Sequence, residues 1–320
     1  MTLSRRHFLT AGTSLGTLLA AGGLAGCASP TPRVTAPAPG VTRVPLGAVS
    51  AYTVSDGFAQ RPLGEGFVRN APLAAVQQAL KDGGLPTDQL TIGFTPMVVD
   101  VGGQRVLFDT GNGEFGSPTS GKLLETMARA GMTPDSVTAV VVSHFHGDHI
   151  NGLRNRAGAL VFPKAKVFVP TPEWNFWMDD QRMAAAPDAM KGAFNGVRRV
   201  FAPIAQQVVR FEPGVEVLPG VRTVPAFGHT PGHTAFVVEG GGRKLMFWAD
   251  AANIAALFVR NPDWAVQFDM DAEAARLTRR RLADQVIREN MLLAGYHLPG
   301  SAVGRLAVRG NGYEFTPLVA

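Results

Sequence analysis

The chain holds seven histidines, and three of them fall between residues 144 and 149 in the pattern H-x-H-x-D-H: His144, His146 and His149, with Asp148. Imidazole nitrogen and carboxylate oxygen are the donors that divalent cations take from proteins. Four ionisable groups this close, delivered by the apolar run "VTAVVV", would be costly and mutually repulsive without a cation to share. Side chains two apart on an extended segment point the same way, so His144 and His146 can grip one ion. A turn at Gly147 then lets Asp148 and His149 face a neighbouring point. His229 sits on a turn in "FGHTPGHT", Asp250 ends "MFWAD", and His297 lies in "GYHLPG". A lone histidine at a strand end is more often a hydrogen-bonded structural residue than a ligand. It is the cluster that points to metal, and the others gain from it. His233, four residues past His229, reads as a structural histidine placed behind the ligands.

These residues need elements to hold them. "APLAAVQQALKDGG" (71–84) has helical spacing and stops at a Gly pair. Residues 91–111 read as two strands joined at Gly102-Gly103 and ending in an Asp-Thr-Gly turn. A helix is expected from about 119 to 130, then the apolar strand that delivers the histidine cluster, then the strand "AKVFVP". Residues 171–195 look helical and aromatic-rich. From 208 to 248, short β runs alternate with Gly/Pro turns. A long helix over about 271–293 precedes a final strand pair, "RLAVRG" and "YEFTPL". Two groups of strands with helices between and outside them suggest a layered α/β sandwich.

Composition narrows the class. Hydrophobic residues make up 46% and charged residues 17%, which suits a globular core and argues against disorder. "SRRHFLT" with the Gly/Ala-rich stretch behind it resembles a twin-arginine export signal, and "LAGC" resembles a lipoprotein cleavage box ending at Cys27. Without Arg5 and Arg6, 28 basic residues face 25 acidic ones. No basic run with interleaved aromatics is present, so nucleic acid is not suggested as a partner. Cys27 is the only cysteine, leaving no disulfide and no thiolate ligand in the mature chain. The expected organisation is a signal over 1–27, a Pro/Ala-rich tether over 28–45 and one domain over 46–320. Export would place the protein in the periplasm, with membrane anchoring if Cys27 is lipidated.

H-x-H-x-D-H followed by G-H-T-P-G-H-T, a strand-terminal Asp and a late His resembles the metallo-β-lactamase-fold hydrolases, with matches from about Val98 onward. The resemblance implies a four-layer αβ/βα sandwich. It implies that His144, His146 and His229 hold one metal, that Asp148, His149 and His297 hold a second, and that Asp250 bridges them. Asp109 in "FDTG" would buttress the histidine loop. "SHFHGDHINGL", "NFWMDD", "KGAFNG" and "GHTPGHTAFVVE" are similar to the methyl parathion hydrolase branch, whose aromatic pocket positions match Phe115, Trp177 and Phe194. Gly147 stands where relatives often carry Pro, a change expected to loosen the loop.

The resemblance thus implies a hydrolase with two divalent ions, zinc on availability, with manganese, cobalt or iron also suited to the donors. A hydroxide bridging the ions, oriented by Asp148 and Asp250, would attack an aryl phosphotriester, aryl ester or lactone. A homodimer stays open. An acyl-homoserine lactonase keeps the same seven ligands and is the nearest competing reading. A non-catalytic metal-binding surface lipoprotein is the alternative of another class, and the complete ligand set argues against it.

Overall fold

The computed structural model describes residues 40–318. The export signal, Cys27 and most of the expected tether lie outside the described residues. Val41 to Pro45, expected to end the tether, instead belong to a strand. In chain order, β1 (Val41–Leu46) and β2 (Val49–Val54) form a hairpin, while β3 (Gly57–Pro62) and β4 (Gln89–Phe94) pair across α1 (Leu73–Asp82). β5 (Met97–Val101) and β6 (Gln104–Phe108) come next, then α2 (Leu123–Arg129), β7 (Ala139–Val141), α3 (Gly147–Ile150) and β8 (Lys166–Pro170). Helices α4 (Thr171–Trp177), α5 (Asp180–Ala185) and α6 (Asp188–Phe201) precede β9 (Val208–Phe211). The second half runs β10 (Glu216–Leu218), β11 (Val221–Pro225), β12 (Thr234–Gly240), β13 (Arg243–Phe247), α7 (Ala272–Arg288), β14 (Leu292–Ala294), β15 (Val303–Arg309) and β16 (Gly312–Pro317).

Seven strands in the order β1-β2-β5-β6-β7-β8-β9 make one mixed sheet, and β10 to β16 in sequence make the other. Alternation along the strands assigns each face. Val106, Phe108 and Val141 enter the core that also takes Phe236, Leu245 and Phe247 of the second sheet. Leu107, Val140 and Val142 point the other way, onto α2, α4 and α6 with Met127, Trp174 and Val197. On the far side, Leu282, Ala283 and Val286 of α7 join the hydrophobic cluster of the second sheet, and Ala275 is buried along the same helical stripe. Asp271 caps that helix by accepting from Ala274 N. Helix, sheet, sheet, helix is the four-layer sandwich the resemblance implied. No described helix is long and apolar enough to cross a membrane.

Several boundaries differ from the sequence reading, for local reasons. Residues 91–111 form three strands, because the chain breaks at Pro96, which has no N–H for a ladder. β4 then joins β3, while β5 joins β2. The aromatic stretch after β8 splits into three helices at the Asp179 cap and at Pro187. α7 stops at Arg288, and Asn290 (φ 50°) turns the chain into β14.

Topology decides where the chemistry can gather. β6 and β7 are parallel neighbours in one sheet, and β13 and β14 are parallel neighbours in the other. Each pair therefore ends at one edge of its sheet, the edge where α/β proteins bind ligands. Asp109 and His144 lie just past the first pair, and Asp250 and His297 just past the second. Asp109 (φ 61°) and Ala249 (φ 46°), beside these ends, both adopt the left-handed conformation, a strained geometry that clusters at functional sites.

Candidate metal centre

His144 lies three residues past β7, and its Nε2 is 3.1 Å from His146 Nδ1. His229, on the loop between β11 and β12, brings its Nε2 to 3.0 Å from that same Nδ1. Asp250 Oδ2 completes the group at 3.3 Å from His229 Nε2 and 4.0 Å from His144 Nε2. Donor atoms of these four residues lie within 4.8 Å of one another, and so do those of Asp148, His149 and His297. The two groups meet at Asp250: His297 Nε2 is 3.0 Å from its Oδ2, and His149 Nε2 is 3.2 Å from its Oδ1. Asp148 Oδ2 is 3.5 Å from both His149 Nε2 and His297 Nε2. All seven residues singled out in the sequence are thus gathered at one place.

The donors fit a cation. His149 Nε2 and Asp250 Oδ1 are buried without a hydrogen-bond partner, which is costly for polar atoms unless something else satisfies them. Both point into the space the other donors surround. All are nitrogen or oxygen donors with no sulfur, a set suited to zinc, manganese, cobalt or iron.

Behind the donors stands a layer of partners that fixes ring orientation. Asp109 Oδ2 takes a hydrogen bond from His149 Nδ1 at 2.8 Å, and the same carboxylate accepts from Ser143 N and Ser143 Oγ. His149 must therefore direct Nε2 inward. His297 Nδ1 donates to Gly93 O at 2.7 Å, which sets its Nε2 likewise. His233 donates from Nδ1 to Ala226 O and accepts from Asp250 N at Nε2 (3.2 Å). Both its nitrogens are occupied away from the centre, so it positions the Asp250 backbone. Tyr296 packs against His149, with ring centroids 3.8 Å apart and planes tilted by 33°, and its hydroxyl donates to Asp148 O.

Three partners were not singled out in the sequence. Asp269 Oδ1 is 2.9 Å from His229 Nδ1, and its Oδ2 is 3.3 Å from Nη2 of Arg279. Arg279 is buried in the α7 stripe and donates to the carbonyls of Ala251, Pro262 and Trp264. Glu173, wholly buried in α4, accepts from Phe145 N, Gly232 N and Trp177 Nε1. An acid inside the aromatic run "TPEWNFW" was a signal for Glu173. Asp269 in "FDMD" gave none.

Charge in the metal-free cluster is set by burial and neighbours. Burial, then His149, hold His144 well below the ordinary histidine value, and burial with His229 does the same to His146. Burial with the nearby charge of His229 brings His233 down to about 3. For His229 burial opposes a charge, but hydrogen bonds to Asp250 and Asp269 outweigh it and push the value up to about 9.

The three aromatic positions expected to line a pocket are placed differently from one another. Trp177 and Phe194 are 2% and 1% exposed, with ring centroids 4.8 Å apart in the outer core. The Trp177 indole N–H is engaged by Glu173, and both rings are buried among the outer-core side chains. Phe115 is half-buried, with the Arg199 guanidinium 3.7 Å from its ring centroid. A cleft of about 1720 Å³ has His297, alone of the seven donors, in its wall, together with Phe58, Thr95, Ile254 and Trp264. Gly147 opens α3 without a positive φ, where an added Cβ would meet only the Asn151 side chain, with Nδ2 nearest at 2.9 Å. Its conformation is thus one that other residues adopt.

Fold and site together define a metal-dependent hydrolase. The chain belongs to the metallo-beta-lactamase superfamily, whose family description matches residues 95–294. It is similar in structure to AidC, a dizinc quorum-quenching lactonase solved with a product bound (25% identity, 88% of this chain and 98% of that one, TM-score 0.82). It is also similar to the hydrolase AbOPH of the beta-lactamase superfamily (23%, 88% and 98%, 0.81). A probable metal-dependent hydrolase from Staphylococcus aureus shares the fold (21%, 80% and 91%, 0.68). A comparison with curated proteins finds no match.

Proposed function

We propose that this protein is an exported hydrolase that cleaves an ester-type bond, in an aryl phosphotriester, aryl ester or lactone, with two divalent cations. The observation that carries the proposal is the pair of donor groups joined at Asp250, where the buried His149 Nε2 and Asp250 Oδ1 lie 3.2 Å apart and neither makes a hydrogen bond among the described residues. His144, His146 and His229 would hold one cation and Asp148, His149 and His297 the other, with Asp250 available to both. Zinc at such a site lowers the pKa of bound water to about 7 and polarises a carbonyl or phosphoryl oxygen. The chain's own residues supply orientation. Asp109, Asp269 and Gly93 O lock the rings of His149, His229 and His297, and His233 sets the backbone of Asp250. Asp148 and Asp250 are the two carboxylates of the centre and would orient the water that the cations activate.

A second reading, hydrolysis of acyl-homoserine lactones, is favoured by the likeness to a quorum-quenching lactonase and by the burial of Trp177 and Phe194, which removes two of three aromatics expected to select aryl groups. Turnover of an aryl phosphotriester, an aryl ester and an acyl-homoserine lactone by purified metal-loaded protein separates these readings. Two bound metals with no turnover of any of the three would favour a metal-binding lipoprotein instead. Export by the twin-arginine route, a periplasmic location and lipidation of Cys27 belong to the same proposal and rest on the leader sequence.

A further inference from the structure

Glu173 is a carboxylate with no exposure at all, and no cationic side chain pairs with it among the described residues. Burial raises its pKa, a cost met only by the donor groups that surround it. Two of those groups come from separate histidine loops. Oε2 accepts from Phe145 N at 2.9 Å, the peptide between His144 and His146. Oε1 accepts from Gly232 N at 2.7 Å, in the segment between His229 and His233. Another donor, Trp177 Nε1 at 2.9 Å, belongs to α4 itself and holds the carboxylate in place. Gly232 lies so close that a Cβ there would fall 2.4 Å from Glu173 N.

We infer that Glu173 is a positioning residue for the metal centre: one carboxylate that clamps the His144–His146 segment of the first sheet to the His229 loop of the second. It touches no reacting atom. Its two oxygens fix the peptides from which three imidazoles project, so that their nitrogens converge without needing the cation to draw them together. The inference rests on the ligand assignment proposed above.

Glu173→Gln is close to isosteric and keeps one acceptor oxygen. Whichever way the amide turns, its NH2 faces an N–H donor, and one loop loses its anchor. Cobalt(II) titration of the metal-free protein in competition with a chelator, with the visible spectrum recorded, tests this. Glu173→Gln is expected to bind about 10–100-fold more weakly, the usual effect of losing a partner behind the ligands, and to show an altered cobalt spectrum. Val76→Ala, a buried truncation in α1, is the control for stability alone: it should lower the melting temperature and leave affinity and spectrum unchanged. If Glu173→Gln matches wild type in affinity and spectrum, even while melting earlier, the clamp is refuted. Should Glu173→Gln not fold, Glu173→Asp, which keeps the charge but withdraws the oxygens by one methylene, carries the same expectation and the same refutation. If wild-type protein takes up no cobalt, or His146→Ala leaves its affinity unchanged, the ligand assignment falls and the clamp falls with it.

Discussion

Asp269 Oδ1 lies 2.9 Å from His229 Nδ1, on the ring edge opposite the Nε2 that faces Asp250 at 3.3 Å. A carboxylate so placed fixes the imidazole tautomer and raises its strength as a ligand. Arg279 holds Asp269 in turn. Asp269→Asn is expected to weaken metal binding about 10–100-fold and, by leaving the buried Arg279 guanidinium without its carboxylate, to lower stability as well. Arg279→Met leaves Asp269 Oδ2 and three buried carbonyls without their donor and should destabilise by about 3–5 kcal/mol. Chelator competition and urea denaturation measure the two effects. Unchanged affinity in Asp269→Asn would remove the relay from the account.

His233 separates ligands from their supports. His146→Ala and Asp250→Ala should each abolish activity and metal loading. His233→Ala removes only the acceptor for Asp250 N and a donor to Ala226 O, so metal stoichiometry should persist with stability lowered by about 2–4 kcal/mol. Loss of a metal from His233→Ala, measured by elemental analysis, would show that the ligand set is misassigned.

Metal uptake should release protons at neutral pH. Burial disfavours charge on His149, His229 and His297, yet neighbouring carboxylates, Asp250 foremost among the charges, raise all three, His229 to about 9. His229, raised to about 9, holds a proton at pH 7 that a cation must displace. Affinity should therefore rise as pH increases toward about 9. The raised His229 value stabilises the metal-free fold fully below the unfolded value of about 6.5, and that stability is lost as pH climbs through about 9. Calorimetry in buffers of different ionisation enthalpy counts the protons. A pH-independent affinity with no proton release would contradict the charge assignment.

For export, Arg5→Lys combined with Arg6→Lys should retain the precursor in the cytoplasm, read by cell fractionation. Undiminished periplasmic yield would refute the twin-arginine proposal.

The site was more legible than the scaffold. H-x-H-x-D-H is local, because period-two geometry and one turn suffice to aim its donors, and the chain's few histidines left little choice for the rest. Two apolar strand groups flanked by helices also announced a layered sandwich. The edge strand β1 was hidden, since "VTRVPL" continues a Pro/Ala-rich stretch and pairs only with a partner that burial reveals. Trp177 and Phe194 have the composition of a pocket, and only packing shows them facing each other in the core. Arg279 occupies an apolar stripe position on α7, where charge is unexpected until Asp269 and three carbonyls are seen around it. Such partners lie tens of residues apart, and no spacing rule connects them.

Anomalous diffraction at the zinc edge from crystals of the zinc-loaded protein bears most directly on the central claim. Two peaks are predicted, one among His144, His146 and His229 and one among Asp148, His149 and His297, with Asp250 facing both. A single peak, or a peak outside these residues, would contradict the two-metal hydrolase described here.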